Sequence, residues 1–473
     1  MSLIEEILKK QTITNTKGGE YYATTYNRNL DMFSMLQRST PKEEVLKCFK
    51  NAYVEDEKLA IANLLYLLDI RDGKGERDLF KICFKWLCDN GNLEYAKKVL
   101  YLIGELGRYD YVLVGLNTRL EQDVINLIKD QLREDYLAEY PSLLAKWLPT
   151  NAKNGLRKQL VKKLGATQAD YRKVISKIRA RLNLIETKLA NKDYDIDFEK
   201  VPAKAMLRYK NAFKKHCKYS YEEYLEKAQN GEAKVNTKGL FAYEIVKKIY
   251  DRGITAEEEK LYDSMWEQQK DVLKDCDKNI LVMADTSGSM TWGDPKPIWS
   301  SIGLALYIAE RNKGAFKDYY MTFSSKPFLQ KVEGLTIADK INNMQEINAN
   351  TNIDAAFALL LETAKNSNIP EEEMPSHIII VSDMEFDDGV YSATGTNLNG
   401  WKAQFKALGY TMPKIIFWNV SNRSKGTPAT KFDNDVAMIS GFSTSVFENI
   451  LDVEKMTPIN IMLQKLAKYL EMI

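Results

Sequence analysis

The segment Asp285-Thr-Ser287-Gly-Ser289 places one carboxylate and two hydroxyls at alternate positions, directly after the apolar run 281–284. Three kinds of site use such side chains. A serine can act as a nucleophile, a glycine-containing turn can bind a phosphate group, and a set of oxygen ligands can bind a hard cation. The residues that accompany the segment decide between these three.

A catalytic serine needs a neighbouring base, but His216 stands in a helical region and His377 begins an apolar run, at the wrong end of a strand. A phosphate-binding loop needs several glycines and a lysine beside a serine or threonine. Here Gly288 is alone, and the first lysine after the segment is Lys296. Both alternatives are therefore disfavoured, and a metal site is favoured.

Carboxylate and hydroxyl oxygens suit Mg²⁺, Mn²⁺ or Ca²⁺ better than Zn²⁺. Two further segments offer matching oxygens, because Thr351 precedes a helical stretch and Asp383 follows the apolar run 378–382. We therefore expect a divalent cation near these segments, with Mg²⁺ as the first expectation and Mn²⁺ or Ca²⁺ as alternatives. The simpler alternative is that the serines and aspartates only cap the turns after strands.

The hydrophobic pattern changes after about residue 275 from helical to strand-like. Strands are predicted at 279–284, 319–323, 377–381, 414–418 and 436–439, and helices near 298–312, 336–347, 353–366, 400–408 and 457–472. Apolar strands that alternate with helices predict a mostly parallel α/β sheet covered on both faces. Functional residues of such a sheet collect at the carboxyl ends of its strands, where the segment 285–289 stands.

Between about residues 40 and 150, apolar residues recur at helical spacing and each run ends at a glycine, as at Gly73, Gly91 and Gly107. Helices this short cannot bury their apolar faces alone, which favours an all-α helical repeat. The predicted domains are an N-terminal extension over 1–30, a helical domain over 31–275 and an α/β domain over 276–473.

The formal charge of +2 conceals a basic segment, because residues 146–220 contain 20 Lys and Arg but only 6 Asp and Glu. Segregated charge of this kind is typical of a surface that binds a polyanion. The candidate nucleic-acid-binding residues are Lys146, Arg157, Lys158, Lys162, Lys163, Arg172, Lys173, Lys177, Arg179, Arg181, Arg208, Lys214 and Lys215. The neighbouring aromatic residues Trp147, Tyr171, Tyr209 and Tyr219 either stack on bases or belong to helix cores.

Asp285, Ser287, Ser289, Thr351 and Asp383 resemble, in order and spacing, the metal-ion-dependent adhesion site of von Willebrand factor A domains. The resemblance implies such a domain, with a Rossmann-like α/β fold, over 276–473. It also implies a divalent cation whose open coordination position accepts a carboxylate from a protein partner. It also implies that the three hydroxyls contact the metal, whereas the two aspartates hold it directly or through water.

The stretches 71–77, 104–110, 146–149, 184–188 and 201–206 resemble an uncharacterised domain-of-unknown-function family of phages, other microbes and plants. That family is similar to TROVE proteins, the relatives of the Ro autoantigen, in placing helices of the HEAT type before a von Willebrand A domain. TROVE proteins bind small structured RNAs and RNA ends. The resemblance implies the same class of ligand here.

Together these features predict a non-enzymatic, RNA-binding ribonucleoprotein scaffold that recruits a protein partner through its metal site. The alternatives are a metal-dependent protein-interaction module without nucleic acid and, more weakly, a metal-dependent nuclease. The sequence has no apolar run that would span a membrane and no secretory leader, so we expect a cytoplasmic protein, in the host cytoplasm if a phage encodes it. Its five scattered cysteines indicate neither disulfides nor a zinc site.

Overall fold

The computed structural model of the chain describes residues 12–14, 20–151, 153–250, 253–322, 326–344, 351–386, 396–421, 423, 426–451, 453 and 455–473. One short hairpin and a series of helices are followed by a six-stranded mixed sheet with further helices. This confirms the predicted order of a helical part before an α/β part. Within the described ranges, no helix is long and apolar enough to cross a membrane.

The N-terminal hairpin pairs β1 (Thr12–Thr14) with β2 (Glu20–Tyr22). The helices that follow are α1 (Arg28–Met35), α2 (Lys42–Glu55), α3 (Glu57–Leu68), α4 (Arg77–Asn90), α5 (Leu93–Leu106), α6 (Glu121–Leu137), α7 (Leu144–Trp147), α8 (Gly155–Leu164), α9 (Gln168–Arg181), α10 (Ile185–Ala190), α11 (Ala203–His216), α12 (Lys218–Gln229), α13 (Ala242–Tyr250) and α14 (Ala256–Glu267). Polar side chains start several of them. The Asp56 carboxylate accepts from the Leu59 N–H before α3, and the Thr167 hydroxyl accepts from the Asp170 N–H before α9.

Helices α2–α5 pack against the next one or two helices in sequence, which is the local contact pattern of helical repeats. Glycines at the helix ends permit this close packing. A Cβ atom at Gly107 would collide with the Leu68 side chain, and one at Gly91 would collide with Leu87. Gly107 therefore allows the end of α5 to approach the end of α3, and Gly91 leaves room for a side chain of the helix that it ends.

The C-terminal sheet contains β3 (Ile280–Ala284), β4 (Tyr319–Thr322), β5 (Phe328–Lys331), β6 (His377–Ser382), β7 (Lys414–Asn419) and β8 (Val436–Ser440), in the order β5-β4-β3-β6-β7-β8. Strand β5 is antiparallel to β4, whereas the other neighbours are parallel. Its helices are α15 (Pro297–Arg311), α16 (Ile337–Asn343), α17 (Ile353–Ser367), α18 (Thr396–Ala407) and α19 (Pro458–Glu471). Every residue of β3, β6 and β8 is buried, so both faces of the sheet are covered.

The strand order reverses between β3 and β6. From β3 the chain proceeds outward to β4 and β5, and then returns to β6 on the other side of β3. In doubly wound sheets a crevice forms at this point, outside the carboxyl ends of the strands. Asp285 follows β3 and Asp383 follows β6, so both predicted metal-binding aspartates lie at the crevice.

The first described residues pack against the α/β part. Tyr22 and Thr427 exchange two backbone hydrogen bonds of 3.1 and 2.9 Å, and the Tyr21 hydroxyl accepts from the Phe386 N–H at 2.8 Å. Helix α1 contacts β8 and α19. The predicted extension 1–30 thus includes residues that help to cover the C-terminal sheet.

Lys74 joins the helical part to the α/β part. Its side chain is buried, and its ammonium group donates to the Phe33 carbonyl and, at 2.5 Å, to the Ser440 hydroxyl at the end of β8. Burial lowers the pKa of Lys74 to about 7. The contact between the two parts therefore includes an amine that titrates near neutral pH.

Candidate metal centre and nucleic-acid interface

Strands β3 and β6 set the positions of the two predicted metal-binding aspartates. Ala284 is aligned with Val381, and the Asp285 N–H donates to the Val381 carbonyl at 3.0 Å, which extends the ladder by one residue. Asp285 and Asp383 then leave adjacent strands on the same edge of the sheet. Both side chains are buried, with 1% and 0% exposure.

The Asp285 carboxylate is held by two donors. Its Oδ1 accepts from the Ser287 N–H at 2.9 Å, and its Oδ2 accepts from the Ser382 hydroxyl at 2.6 Å. Ser382 in turn accepts from the Met384 N–H at 3.0 Å. Ser382 thus orients a predicted metal ligand, and the sequence reasoning did not single it out, although its place beside Asp383 at the end of a predicted strand was a usable signal.

Ser287 and Ser289 present their hydroxyls together. A 3₁₀ turn over Gly288–Thr291 brings the two Oγ atoms to 2.9 Å from each other. Ser287 is buried and Ser289 is partly exposed, so the pair lies between the interior and the solvent. The alternate spacing of the two serines therefore yields one paired hydroxyl group.

Thr351 reaches the same place from the third predicted segment. Its hydroxyl donates to the Glu385 carbonyl at 2.9 Å, while the Glu385 N–H donates to Asp383 Oδ1 at 3.1 Å. Asn352 begins α17 by accepting from the Ala355 N–H at 2.8 Å, which fixes the turn that carries Thr351. The three loops after β3, after β6 and before α17 thus meet at one site.

The electrostatics of this site favour a cation. Burial, and next the charge of Asp383, raise the pKa of Asp285 to about 6. Two buried carboxylates with neighbouring hydroxyls form an all-oxygen donor set, which fits a hard divalent ion such as Mg²⁺. Among the described residues there is no group of three or more His, Cys, Asp or Glu side chains that could hold a metal ion, so a cation here would depend on the hydroxyls beside the two carboxylates. Asn350, directly before Thr351 in the sequence, and the acidic residues Asp387 and Asp388, which follow Asp383, lie outside the described residues.

The predicted nucleic-acid-binding residues separate into groups, and one group binds backbone carbonyls. Arg157 is buried and donates to the Thr150 carbonyl at 2.8 Å. Arg179 donates to the carbonyls that end α7, and Arg181 donates to those that end α6, at distances of 2.5 to 3.0 Å. The guanidinium groups of these three arginines satisfy backbone carbonyls at or near helix ends, and their contact with a nucleic acid stays a prediction.

A second group is paired with acidic side chains. Lys146 lies 3.5 Å from Glu186, Lys163 lies 2.6 Å from Glu121, and Lys214 lies 2.9 Å from Glu257. These pairs are partly exposed, so each contributes little to stability, about 0–1 kcal/mol. The three lysines are accessible to a polyanion only in competition with their acidic partners.

The third group forms what we call the outer basic face: Lys158, Lys162, Arg172, Lys173 and Lys177, on α8 and α9. All five are exposed. The opposite sides of the same helices bury apolar residues, among them Leu160 and Ile175. Neither the ion pairs nor the hydrogen bonds of the described residues give these five an acidic partner.

One tyrosine ring contacts the outer basic face. The Lys177 ammonium lies 3.9 Å from the ring centroid of Tyr136, and Tyr140 is 87% exposed. By contrast, Tyr171 is buried and donates to the Pro149 carbonyl at 3.0 Å, and the Arg108 guanidinium covers the Trp147 ring at 3.8 Å. Tyr171 and Trp147 thus serve packing, and Tyr136 and Tyr140 take their place as candidate stacking surfaces.

Arg208 and Lys215 lie on α11, which belongs to another part of the surface. Helix α11 packs on α12, and its Lys210 contacts Glu258 and the Tyr262 hydroxyl of α14. Arg208 lines a cleft between the helical part and the α/β part, together with residues as distant in sequence as Asp294. The basic segment 146–220 therefore supplies two surfaces rather than one.

Two domain-family models match this chain. The model described as "Domain of unknown function (DUF2828)" matches residues 15–98 and 150–282, and "Domain of unknown function (DUF7788)" matches residues 279–467. The two matches meet where β3 begins. Their descriptions name neither a von Willebrand A domain nor an activity.

Two known proteins are similar to the chain over most of its length. The uncharacterized protein L728 of Acanthamoeba polyphaga mimivirus is 28% identical in an alignment 501 residues long, which covers 96% of this chain and 86% of that protein. The crystal structure of the Deinococcus radiodurans Ro (RSR) protein aligns with a TM-score of 0.45 and 12% identity, over 94% of this chain and 100% of that one.

Proposed function

We propose that this chain is a non-enzymatic scaffold that binds RNA on its outer basic face and recruits a protein partner through a divalent cation at the crevice of its sheet. The observation that carries the proposal is the outer basic face itself. Five exposed cations lie on two packed helices, and the Tyr136 ring lies against one of them, Lys177. Cations with adjacent aromatic rings are the combination that binds phosphates and unpaired bases.

RNA is proposed as the nucleic acid because of the resemblance of stretches such as 71–77 and 104–110 to the TROVE-like family. Structured RNA with a single-stranded end is the ligand that best suits the site. The five cations engage backbone phosphates, and the tyrosines stack on bases that are not paired. The chain is proposed to act in the cytoplasm, where such RNAs are found.

The proposed cation is Mg²⁺, held by Asp285, Ser287, Ser289, Thr351 and Asp383. The support is that three loops converge and that two of the side chains are buried carboxylates on adjacent strands. In the bound state the cation would offer an open position to a carboxylate of the partner. In this proposal the five side chains would hold the ion at the crevice.

The RNA proposal is tested by fluorescence anisotropy with a labelled hairpin RNA that has a single-stranded tail. Five phosphate contacts predict an affinity that falls about 100-fold or more between 50 and 200 mM salt. Arg172→Glu with Lys177→Glu removes two contacts and adds repulsion, so binding should weaken at least about tenfold at 50 mM salt.

The matched control is Lys42→Glu with Lys47→Glu, which makes the same change in net charge on exposed positions of α2. The control should bind RNA as the unchanged protein does. RNA binding that is absent at 50 mM salt, or equally weakened by both double variants, would contradict the proposal and leave the protein-interaction module as the remaining candidate.

A further inference from the structure

A cleft of about 540 Å³ lies between the helical part and the α/β part, which we call the junction cleft. Helices α11 and α13 form one side, and the loop between β3 and α15 contributes Asp294 to the other. Its volume is within the range of about 300–1,000 Å³ that is usual for small-ligand sites. Five basic side chains line it, namely Arg38, Lys204, Arg208, Lys247 and Lys248, against the two acidic residues Glu244 and Asp294.

Arg38 is a fixed cation in the lining. Its guanidinium donates to both carboxylate oxygens of Glu76, at 3.0 and 3.2 Å, and to the Tyr243 hydroxyl at 2.5 Å. It also lies 5.0 Å from the ring centroid of Phe442. These contacts hold the planar guanidinium group in one orientation, so the side chain loses little further conformational entropy when an anion binds.

The other cations are able to exchange partners. Lys204 lies 2.9 Å from Glu244 and Lys247 lies 3.1 Å from Asp294, and all four side chains are partly or largely exposed to solvent. Exposed ion pairs of this kind contribute only about 0–1 kcal/mol. A phosphate group, which offers more charge and more acceptor oxygens than a carboxylate, therefore competes well for these lysines.

Trp292 is an exposed aromatic residue on the loop that contributes Asp294 to the junction cleft. Its side chain is 72% exposed, and it stands two residues before Asp294, within about 7 Å of backbone. The Lys247 ammonium, which contacts Asp294, lies 4.6 Å from the ring centroid of Trp299. An indole that is left in solvent next to a cationic cleft is suited to stack on a nucleobase.

We infer that the junction cleft binds one nucleotide unit of a single-stranded nucleic acid, with its phosphate among Arg38, Lys204, Arg208 and Lys247 and its base on Trp292. This inference rests on the proposed function and adds to it a second contact, separate from the outer basic face. The tail of an RNA bound on α8 and α9 would be held at the junction of the two parts. The loop that carries Trp292 also carries Ser287 and Ser289, so the nucleotide and the metal site share one loop.

The test uses the full chain, a fluorescent hexauridylate and, separately, adenosine monophosphate as ligands at 50 mM salt. Lys204→Ala with Arg208→Ala should weaken hexauridylate binding about tenfold or more and lower the salt slope by about 1.4. Trp292→Ala should weaken it about 5- to 150-fold, whereas Trp292→Phe should keep most of the affinity. The matched control is Lys42→Ala with Lys47→Ala, two exposed positions of α2 outside the cleft lining.

The outcomes separate this inference from the proposed function. Loss of binding in the cleft variants and in Trp292→Ala, with the Lys42→Ala, Lys47→Ala control unchanged, supports the junction cleft. Competition by adenosine monophosphate would show that a free nucleotide suffices. Hexauridylate binding that depends on Arg172 and Lys177 but not on Lys204, Arg208 or Trp292 overturns the junction cleft and leaves the outer basic face in place. No binding by any form of the folded protein overturns both.

Discussion

Replacement of Asp285 by asparagine should separate the folding cost of the metal site from its binding of a cation. The side chain keeps its size, and its carbonyl oxygen can still accept from the Ser287 N–H. What is removed is a negative charge that burial and Asp383 disfavour, since together they raise the pKa of Asp285 to about 6 from an ordinary value of 3.8. The metal-free protein should therefore become more stable at neutral pH.

The magnitude follows from linkage. A folded-state pKa about two units above the unfolded value destabilises the ionised form by roughly 3 kcal/mol at pH 7. Because the folded pKa is raised, this destabilisation is absent below about pH 4 and complete above about pH 6. In EDTA, Asp285→Asn should thus exceed the unchanged protein in stability at pH 7, and the difference should vanish near pH 4.

Added Mg²⁺ should reverse the order. At about 100 times its dissociation constant a cation stabilises the folded state by about 2.7 kcal/mol, and the asparagine variant should gain little of this. Urea unfolding at pH 7, with EDTA or with excess Mg²⁺, measures both differences, and Asp130→Asn on the exposed side of α6 is the control. An unchanged protein that gains no stability from Mg²⁺, Mn²⁺ or Ca²⁺, or a variant less stable than it in EDTA, would refute the reasoning.

Three further predictions concern the fold. Burial lowers the pKa of Lys74 to about 7, below its value in the unfolded chain. The free energy of unfolding should therefore rise with pH between about 7 and 10, by up to about 1.4 kcal/mol per pH unit. Lys74→Met should abolish that slope in urea titrations at several pH values. Arg181→Ala leaves carbonyls at the end of α6 without donors and should cost about 1–3 kcal/mol, whereas Arg172→Ala should change stability by less than about 0.5 kcal/mol. Gly107→Ala forces a Cβ atom onto Leu68 and should lower the free energy of unfolding by about 1–3 kcal/mol. Gly165→Asn should change it little, because Gly165 has open space around it and asparagine tolerates its positive φ.

The α/β part was predictable because each central strand is a short apolar run and each is buried on both faces. Strand β5 was not predictable, since Phe328 and Leu329 remain about 40% exposed at the edge of the sheet and its pattern does not differ from that of a loop. The metal-site residues could be named because each follows a strand or precedes a helix in the predicted order. Ser382 escaped, because its role depends on which oxygen of Asp285 faces it.

For the basic segment 146–220, the number of charged residues does not reveal which of them are available to a ligand. A count of charges cannot distinguish Arg172, which is exposed, from Arg179 and Arg181, which end neighbouring helices by binding their carbonyls. Those contacts join residues more than 30 positions apart, so periodicity within one helix does not reveal them. The same holds for Lys74, whose contact with Ser440 depends on how the two parts of the chain pack together.

The measurement that tests the proposed function most directly is ultraviolet cross-linking of the hairpin RNA to the full chain, with the linked peptides identified by mass spectrometry. The account predicts cross-links at Tyr136 or Tyr140 beside the outer basic face, and loss of these in Arg172→Glu with Lys177→Glu. Cross-links confined to α2–α5, or unchanged by that double substitution, would contradict it.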